Sequence, residues 1–210
     1  MKKIPSVFQR NYDTDGLIRN EVVPGCEWVL AGEGIATLKF DGSCCAIMDG
    51  VLYKRYDAKH GKTPPVGFIP AQDPDPVTGH WPGWVRADKS NPADKWFFAA
   101  RSVTEVAVQP ELEDGTYEAI GPHFQGNAEK LVADMLVKHG VIVLDHVSIS
   151  TRTYDGLRDY LENNYIEGIV FHRGNGDMAK VKRVDFGFEW NGKTTKRQPA
   201  NIGETKGSEA

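Results

Sequence analysis

Between Glu27 and Asp57 the chain reads as four short segments, EWVLAG, IATLKFDG, SCCAIMD and VLYKRYD, rich in alternating or β-branched apolar residues and separated by glycine turns. Two-residue periodicity with glycine punctuation predicts consecutive strands, each burying one face. Asp49-Gly50 is the two-residue turn that hairpins favour, because both central residues must take positive φ. This block commits the chain to antiparallel sheet before any other feature is considered.

Residues 60–92 hold most of the prolines, as in TPPVGFIPAQDPDPVTGHWPGW. Proline without periodicity predicts a long surface loop, with Trp81 and Trp84 folded against the core in preference to stacking on bases. GTYEAIG reads as a further strand. AEKLVADMLVKHG predicts a helix with Asn127 as N-cap, Gly140 as terminator and Leu131, Met135 and Leu136 as its buried stripe. VIVLDHV predicts a buried strand, TYDGLRDYLENN a second helix weakened by Gly156, and EGIVFHR and MAKVKRVDFGFEW two more strands. The polar residues 191–210 are expected to form a flexible tail. The expected architecture is therefore an antiparallel-leaning α+β domain over residues 1–190, with the proline-rich loop at about 60–92 and no internal repeat.

Composition narrows the classes. A chain of 210 residues suits one well-buried domain. No apolar run approaches the ~20 residues of a membrane span, and MKKIPSVFQRNYDTDG lacks the apolar block of a secretory signal, so a soluble, cytoplasmic protein with no membrane partner is expected. Cys26, Cys44 and Cys45 lack the paired spacing of a structural zinc site, and adjacent Cys44 and Cys45 are expected to point to opposite faces of a strand as packing residues. The six histidines are scattered without ligand spacing and none is assigned to catalysis; His139 reads as a dipole partner at a helix end. A net charge of −4 argues against a surface that grips nucleic acid everywhere. Basic residues nevertheless cluster twice, as Lys54, Arg55, Lys59 and Lys62, and again between Met178 and Arg197.

Within ATLKFDGSC a lysine interrupts an apolar strand and needs a reason. A lysine partly withdrawn from water and close to other cations loses its proton more readily, which makes its amine a nucleophile. Asp41 and Gly42 add a carboxylate and a tight turn beside Lys39. Alone, a Lys-x-Asp-Gly string recurs by chance, and the plain alternative is a strand-end lysine facing solvent.

The string is not alone. KFDG at Lys39 is followed by Arg55 in YKRYDAK, Glu118 in TYEAIG, Glu167 in EGIVF, and Lys180 and Lys182 in KVK. In that order and spacing the sequence resembles the covalent nucleotidyltransferase superfamily of ATP-dependent DNA ligases, RNA ligases and messenger-RNA capping enzymes. KFDGSCC, LYKRYDAK, GTYEAIGPHFQGN and EGIVFHR most resemble the small 5′-to-3′ RNA ligases first recognised in vertebrates.

The resemblance implies an ATP-grasp-like adenylation domain in which Lys39 attacks ATP and carries AMP, which then passes to the 5′-phosphate of an RNA for attack by a 3′-hydroxyl. It implies that Glu167 holds Mg2+ (or Mn2+), and that Lys180 and Lys182, two apart on a strand and so on one face, bind phosphate and depress the pKa of Lys39. Arg55 and Glu118 would hold phosphate or ribose, the alternative being a salt bridge between them. Backbone atoms of Thr37 and Leu38 would read the adenine, and Ile169 or Val170 would line its pocket. The sequence departs from the family in VIVLDHV, which lacks the aromatic residue on which relatives stack the base; Phe124, His123 or an aliphatic residue is the expected substitute. Too few residues follow Lys182 for the appended oligonucleotide-binding barrel of DNA ligases. A nick-sealing DNA ligase, a GTP-using capping enzyme and a non-catalytic nucleotide- or RNA-binding module remain the alternatives.

Overall fold

A computed structural model describes residues 1–76, 78–108, 112–145, 149 and 151–193. Its centre is the expected run of strands: β3 (Ile35–Lys39), β4 (Ser43–Met48) and β5 (Val51–Ala58), preceded by a two-stranded ribbon, β1 (Phe8–Arg10) with β2 (Ile18–Val22). The β4–β5 hairpin turns at Asp49 and Gly50 with φ of 51° and 68°, the left-handed pair that the turn requires. EWVLAG is not a strand but a one-turn helix, α1 (Glu27–Leu30), because Trp28 and Val29 are both buried and a strand would send one of them to solvent.

β4 also pairs with β8 (Gly115–Ile120), and β5 pairs with β7 (Trp81–Arg86), building a six-stranded antiparallel sheet in the order β6-β7-β5-β4-β8-β9, where β6 is Ile69–Pro70 and β9 is Met135–Lys138. The proline-rich stretch is thus only partly loop: Trp84 is buried on β7, and the Trp81 indole nitrogen donates to the Gln72 carbonyl. Both tryptophans pack, as expected.

The helix expected over AEKLVADMLVKHG is absent. Gln125, Asn127 and Lys130 all take positive φ, the Asn127 side chain closes a turn on the backbone of Leu131, and Met135–Lys138 zips onto β8 as an edge strand. Pairing with a preformed strand overrides the local helical period. The longest helix, α2 (Lys95–Val108), lies instead just after the proline-rich stretch, where no helix is expected from sequence. A 3-10 turn capped by the Asn91 side chain leads into it. The second expected helix is present as α3 (Tyr154–Asn163), capped by Thr153, with Leu157 and Leu161 fully buried.

The other sheet has three strands in the order β11-β10-β3, with β10 Gly168–His172 and β11 Met178–Lys182. Residues 142–144 run along the free edge of β3: the Leu38 amide donates to Ile142 and the Leu144 amide to Ala36. Val141, Ile142 and Val143 are exposed and Leu144 is only partly buried, so the buried strand expected there is an exposed edge, and His146 and Val147 of VIVLDHV lie outside the described residues.

Each sheet has its own core. Phe171, Ile169, Val181, Ala36 and α3 form one with Val7, Phe8 and Trp28; Cys45, Ile47, Tyr117, Ala119 and Leu136 form the other, with Ala100 of α2. Strand alternation sends the neighbouring residues Thr37, Lys39, Val170 and Lys180 of one sheet, and Cys44, Arg55 and Glu118 of the other, to the opposite faces, which meet around a cavity. The architecture is α+β with antiparallel sheets and few helices. Among the described residues no helix is long and apolar enough to cross a membrane. The expected tail lies outside the described residues from residue 194 onward.

Candidate active site

The cavity encloses about 250 Å³ and is lined by Thr37, Leu38, Lys39, Cys44, Arg55, Glu118, His139, Val170, His172 and Lys180 together with residues 1–4. Register explains why Lys39 meets residues so distant in sequence. Gly168 of β10 stands opposite Lys39 on one side and Lys182 on the other, and Val170 likewise stands between Thr37 and Lys180. Lys180 and Lys182 share one face, as their spacing predicts, and the register across β10 puts Lys39 on that face as well.

Lys39 donates through Nζ to Glu167 Oε2 at 2.6 Å and to the Phe40 carbonyl at 3.1 Å. Burial pulls the Lys39 ammonium down, but the Glu167 carboxylate, with Glu118 and Asp41 behind it, outweighs burial and holds Lys39 above the ordinary lysine range. Burial raises the Glu167 carboxyl in turn, against the pull of Lys39 and Lys182. The lysine that is depressed is Lys180, brought down to about 8 by burial first and by Lys39 and Lys182 next. The expected depression of Lys39 is thus absent from this state, because an acid rather than a base lies nearest to it.

Glu118 is held at both oxygens: Oε1 accepts from the Gly42 amide at 3.1 Å and Oε2 contacts His139 Nε2 at 2.9 Å. Gly42 has no room for a side chain, since a Cβ there would lie 2.2 Å from the Ala119 carbonyl oxygen. Arg55 does not pair with Glu118; its Nη1 donates to the Met1 carbonyl at 2.7 Å and its guanidinium lies over the Trp84 ring. The N-terminal residues, which carry no signal in the sequence, reach the cavity because Pro5 and Val7 hydrogen-bond to both sides of Lys180 on the open edge of β11.

Several expected residues are placed elsewhere. Ile169 is fully buried in the core on the far face of β10, and its neighbour Val170 lines the cavity, as alternation requires. Asp41 points away, accepting from the Trp190 indole at 3.0 Å, while its amide donates to Glu129. Phe124 packs edge-on against Phe97 in the second core and His123 stacks on Trp96, so neither substitutes for the missing aromatic residue. The Leu38 amide is taken by Ile142. Thr37 donates from Oγ1 to the Val170 carbonyl and meets His172 Nε2 at 2.9 Å, and burial keeps His172 below the usual histidine range. His139 and His172, both passed over in the sequence, line the cavity; His139 is there because its predicted helix is a strand.

On the other side of Lys39 a second cavity is lined by Phe40, Glu129, Lys130, Tyr165, Glu167 and Trp190 among others. Glu129 Oε2 is buried in it with no hydrogen-bond partner, and burial raises the Glu129 carboxyl. An orphaned carboxylate oxygen and Glu167 facing one cavity make a donor set that fits a hard divalent cation.

A protein-family model described as RNA ligase 1 matches residues 101–206, half of the chain. The chain belongs to the RNA ligase 1 family. RNA ligase 1 of Rattus norvegicus is 26% identical over 223 positions, covering 74% of this chain and 68% of the rat protein. The Mus musculus protein matches at 26% over the same extent, and that of Danio rerio at 25% over 53% of this chain and 42% of its own length. The span matched by the family model, residues 101–206, contains Glu118, Glu167, Lys180 and Lys182.

Proposed function

We propose that the chain is an ATP-dependent RNA ligase that joins 5′-phosphate and 3′-hydroxyl ends through a lysyl-AMP intermediate, on a nucleotidyltransferase domain spanning residues 1–190. The observation that carries this reading is the convergence of Lys39, Glu167, Lys180 and Arg55, from four strand segments far apart in sequence, on adjoining cavities. Ordinary solvated charges have no reason to gather on the inward faces of two sheets.

In the proposed reaction Lys39 Nζ forms a bond to the α-phosphorus of ATP as the bond to pyrophosphate breaks. AMP then passes to the RNA 5′-phosphate, and a 3′-hydroxyl displaces AMP to close the phosphodiester. Glu118, fixed by Gly42 and His139, is the acceptor for ribose hydroxyls, while Val170 and Leu38 give the base an apolar wall. Backbone carbonyl oxygens at Thr37 and Leu38 are the groups to read the adenine amino group, because that group donates and an amide N–H cannot accept. Arg55 and Lys180 bind phosphate charge, with Lys182 beside them on the same face.

Lys39 must be neutral to attack, yet Glu167 holds it protonated. Glu167 and Glu129 would hold Mg2+ or Mn2+, which supplies charge neutralisation at the reacting phosphates. Glu167 is the chief anion raising Lys39, so any turn of its carboxylate away from Nζ would let the amine give its proton to solvent more readily.

Incubation with Mg2+ and radiolabelled ATP, GTP or NAD, followed by denaturing electrophoresis, tests the reading. ATP label on the protein, transferable to 5′-phosphorylated RNA, is expected. Label from GTP alone would move the assignment to capping chemistry, and no label from any of the three would leave only a binding module.

A further inference from the structure

Cys44, Glu118 and His139 come from three neighbouring strands of the six-stranded sheet. Cys44 stands opposite Glu118 in register, and the His139 amide donates to the Thr116 carbonyl just past the end of β9. Alternation sends Cys45 and Tyr117 into the core and leaves these three side chains on the cavity face. One sulfur, one imidazole nitrogen and one carboxylate oxygen lie within 4.8 Å of one another. Donors sharing one zinc ion sit ~3–4 Å apart, so side-chain rotation alone closes the site.

The histidine is already oriented as a ligand. Its Nδ1 meets Thr116 Oγ1 at 3.0 Å, and the threonine hydroxyl donates to the Met1 sulfur, which leaves its lone pairs to accept Nδ1–H. A ligating histidine generally gives its second ring N–H to such a group, which fixes the tautomer and aims the other nitrogen at the metal. His139 Nε2 is aimed at Glu118 Oε2, 2.9 Å away, and the space between the two atoms is the side from which both could hold a metal. The mixed sulfur, nitrogen and oxygen set is that of zinc rather than magnesium, and it is separate from the all-carboxylate pair of Glu129 and Glu167.

We propose that Cys44, Glu118 and His139 bind Zn2+ on the wall of the cavity, and that zinc bound there excludes ATP. Coordination releases the thiol proton of Cys44 to solvent, so affinity falls as pH falls. A zinc held by Cys44, Glu118 and His139 would stand on the cavity wall that Arg55 and Lys180 also line, where it would take up the Glu118 oxygen nearest His139. The exclusion half rests on the cavity being the nucleotide site; the metal site does not.

Co2+ titrated into the full chain in chelator-treated buffer is the probe. One equivalent should give a near-ultraviolet thiolate-to-cobalt band, displaced by Zn2+ and lost in Cys44→Ser. Thr116→Val should keep the band but weaken affinity roughly 10–100-fold. Saturating Zn2+ should abolish binding of a fluorescent ATP analogue to the wild type and not to Cys44→Ser. No band, or a band that survives Cys44→Ser, overturns the site. An ATP affinity unmoved by zinc overturns the exclusion, and failure of the analogue to bind even without zinc overturns both the exclusion and the cavity's assignment to ATP while the cobalt band still decides the metal site.

Discussion

Lys39 and Glu167, 128 residues apart, meet through a 2.6 Å hydrogen bond because Lys39 pairs in register with Gly168, the residue that follows Glu167. The pair sets two demands against each other. The carboxylate proposed to hold a cation is also the group that keeps the amine protonated.

Glu167→Gln should therefore change the rate and its pH dependence in ways that look contradictory. Removing the carboxylate lowers the Lys39 pKa, so the rising limb of adenylylation against pH moves to lower pH. The plateau rate should fall roughly 100-fold with the loss of charge organisation at the phosphate. Quenched-flow rates across pH measure both, and a limb left in place would mean that Glu167 does not control the amine.

Lys39→Ala should abolish covalent AMP labelling with the fold retained. The ion pair is only partly screened, with the lysine side chain 21% and the carboxylate 8% exposed. A cycle of Lys39→Ala, Glu167→Gln and the double variant in denaturant unfolding should give a coupling of about 1–3 kcal/mol. Stoichiometric label on Lys39→Ala would remove the lysine from the chemistry altogether.

The parts of this arrangement that sequence discloses are those governed by strand alternation. Lys180 and Lys182 fall on one face, Cys44 and Cys45 on opposite faces, and Asp49-Gly50 turns the hairpin, because each depends only on the two-residue period and on φ. The same rule selects Val170 over Ile169 once the side facing the cavity is known, but sequence does not say which side that is. What alternation cannot reach is tertiary pairing. Met135–Lys138 carries a helical apolar period and is nevertheless a strand, since β8 offers an open edge and Asn127 and Lys130 break the helix with positive φ. His139 follows this strand and reaches the cavity for the same reason. The Asn91 cap before Lys95–Val108 was the available signal for the missed helix, obscured by the prolines before it.

Gly42→Ala should disable the site without touching any charged group. The added carbon would lie 2.2 Å from the Ala119 carbonyl oxygen and 2.7 Å from the Ile120 side chain, and backbone cannot swing aside as a rotamer can. Separation of the segment after Lys39 from β8 would break the Gly42 amide contact to Glu118. A loss of about 1–3 kcal/mol in unfolding free energy is expected together with a raised KM for ATP. Normal stability with a normal KM would show that the turn has slack.

Lys180 supplies the last prediction because it bears a cost the fold would avoid if packing alone mattered. It is brought down to about 8 by burial first, then by Lys39 and Lys182, whereas an unfolded lysine titrates near ~10.4. Between those values the unfolded chain binds a proton that the folded chain has released, so this group makes stability rise as pH climbs from about 8; below that its burial penalty is felt in full. Lys180→Met keeps the stem and removes the ammonium. At pH 7 it should unfold about 1–2 kcal/mol later than wild type, and the two should converge as pH rises above about 8. Adenylylation should slow, since a phosphate-binding cation is gone, and its rising limb should move to higher pH because one of the charges opposing protonation of Lys39 has been removed. That limb moves opposite to the shift expected of Glu167→Gln, so the two variants measured together separate an anion that holds the proton on Lys39 from a cation that drives it off. Equal melting curves for Lys180→Met and wild type from pH 7 to 10, with an unmoved rate profile, would mean that Lys180 is solvated and takes no part.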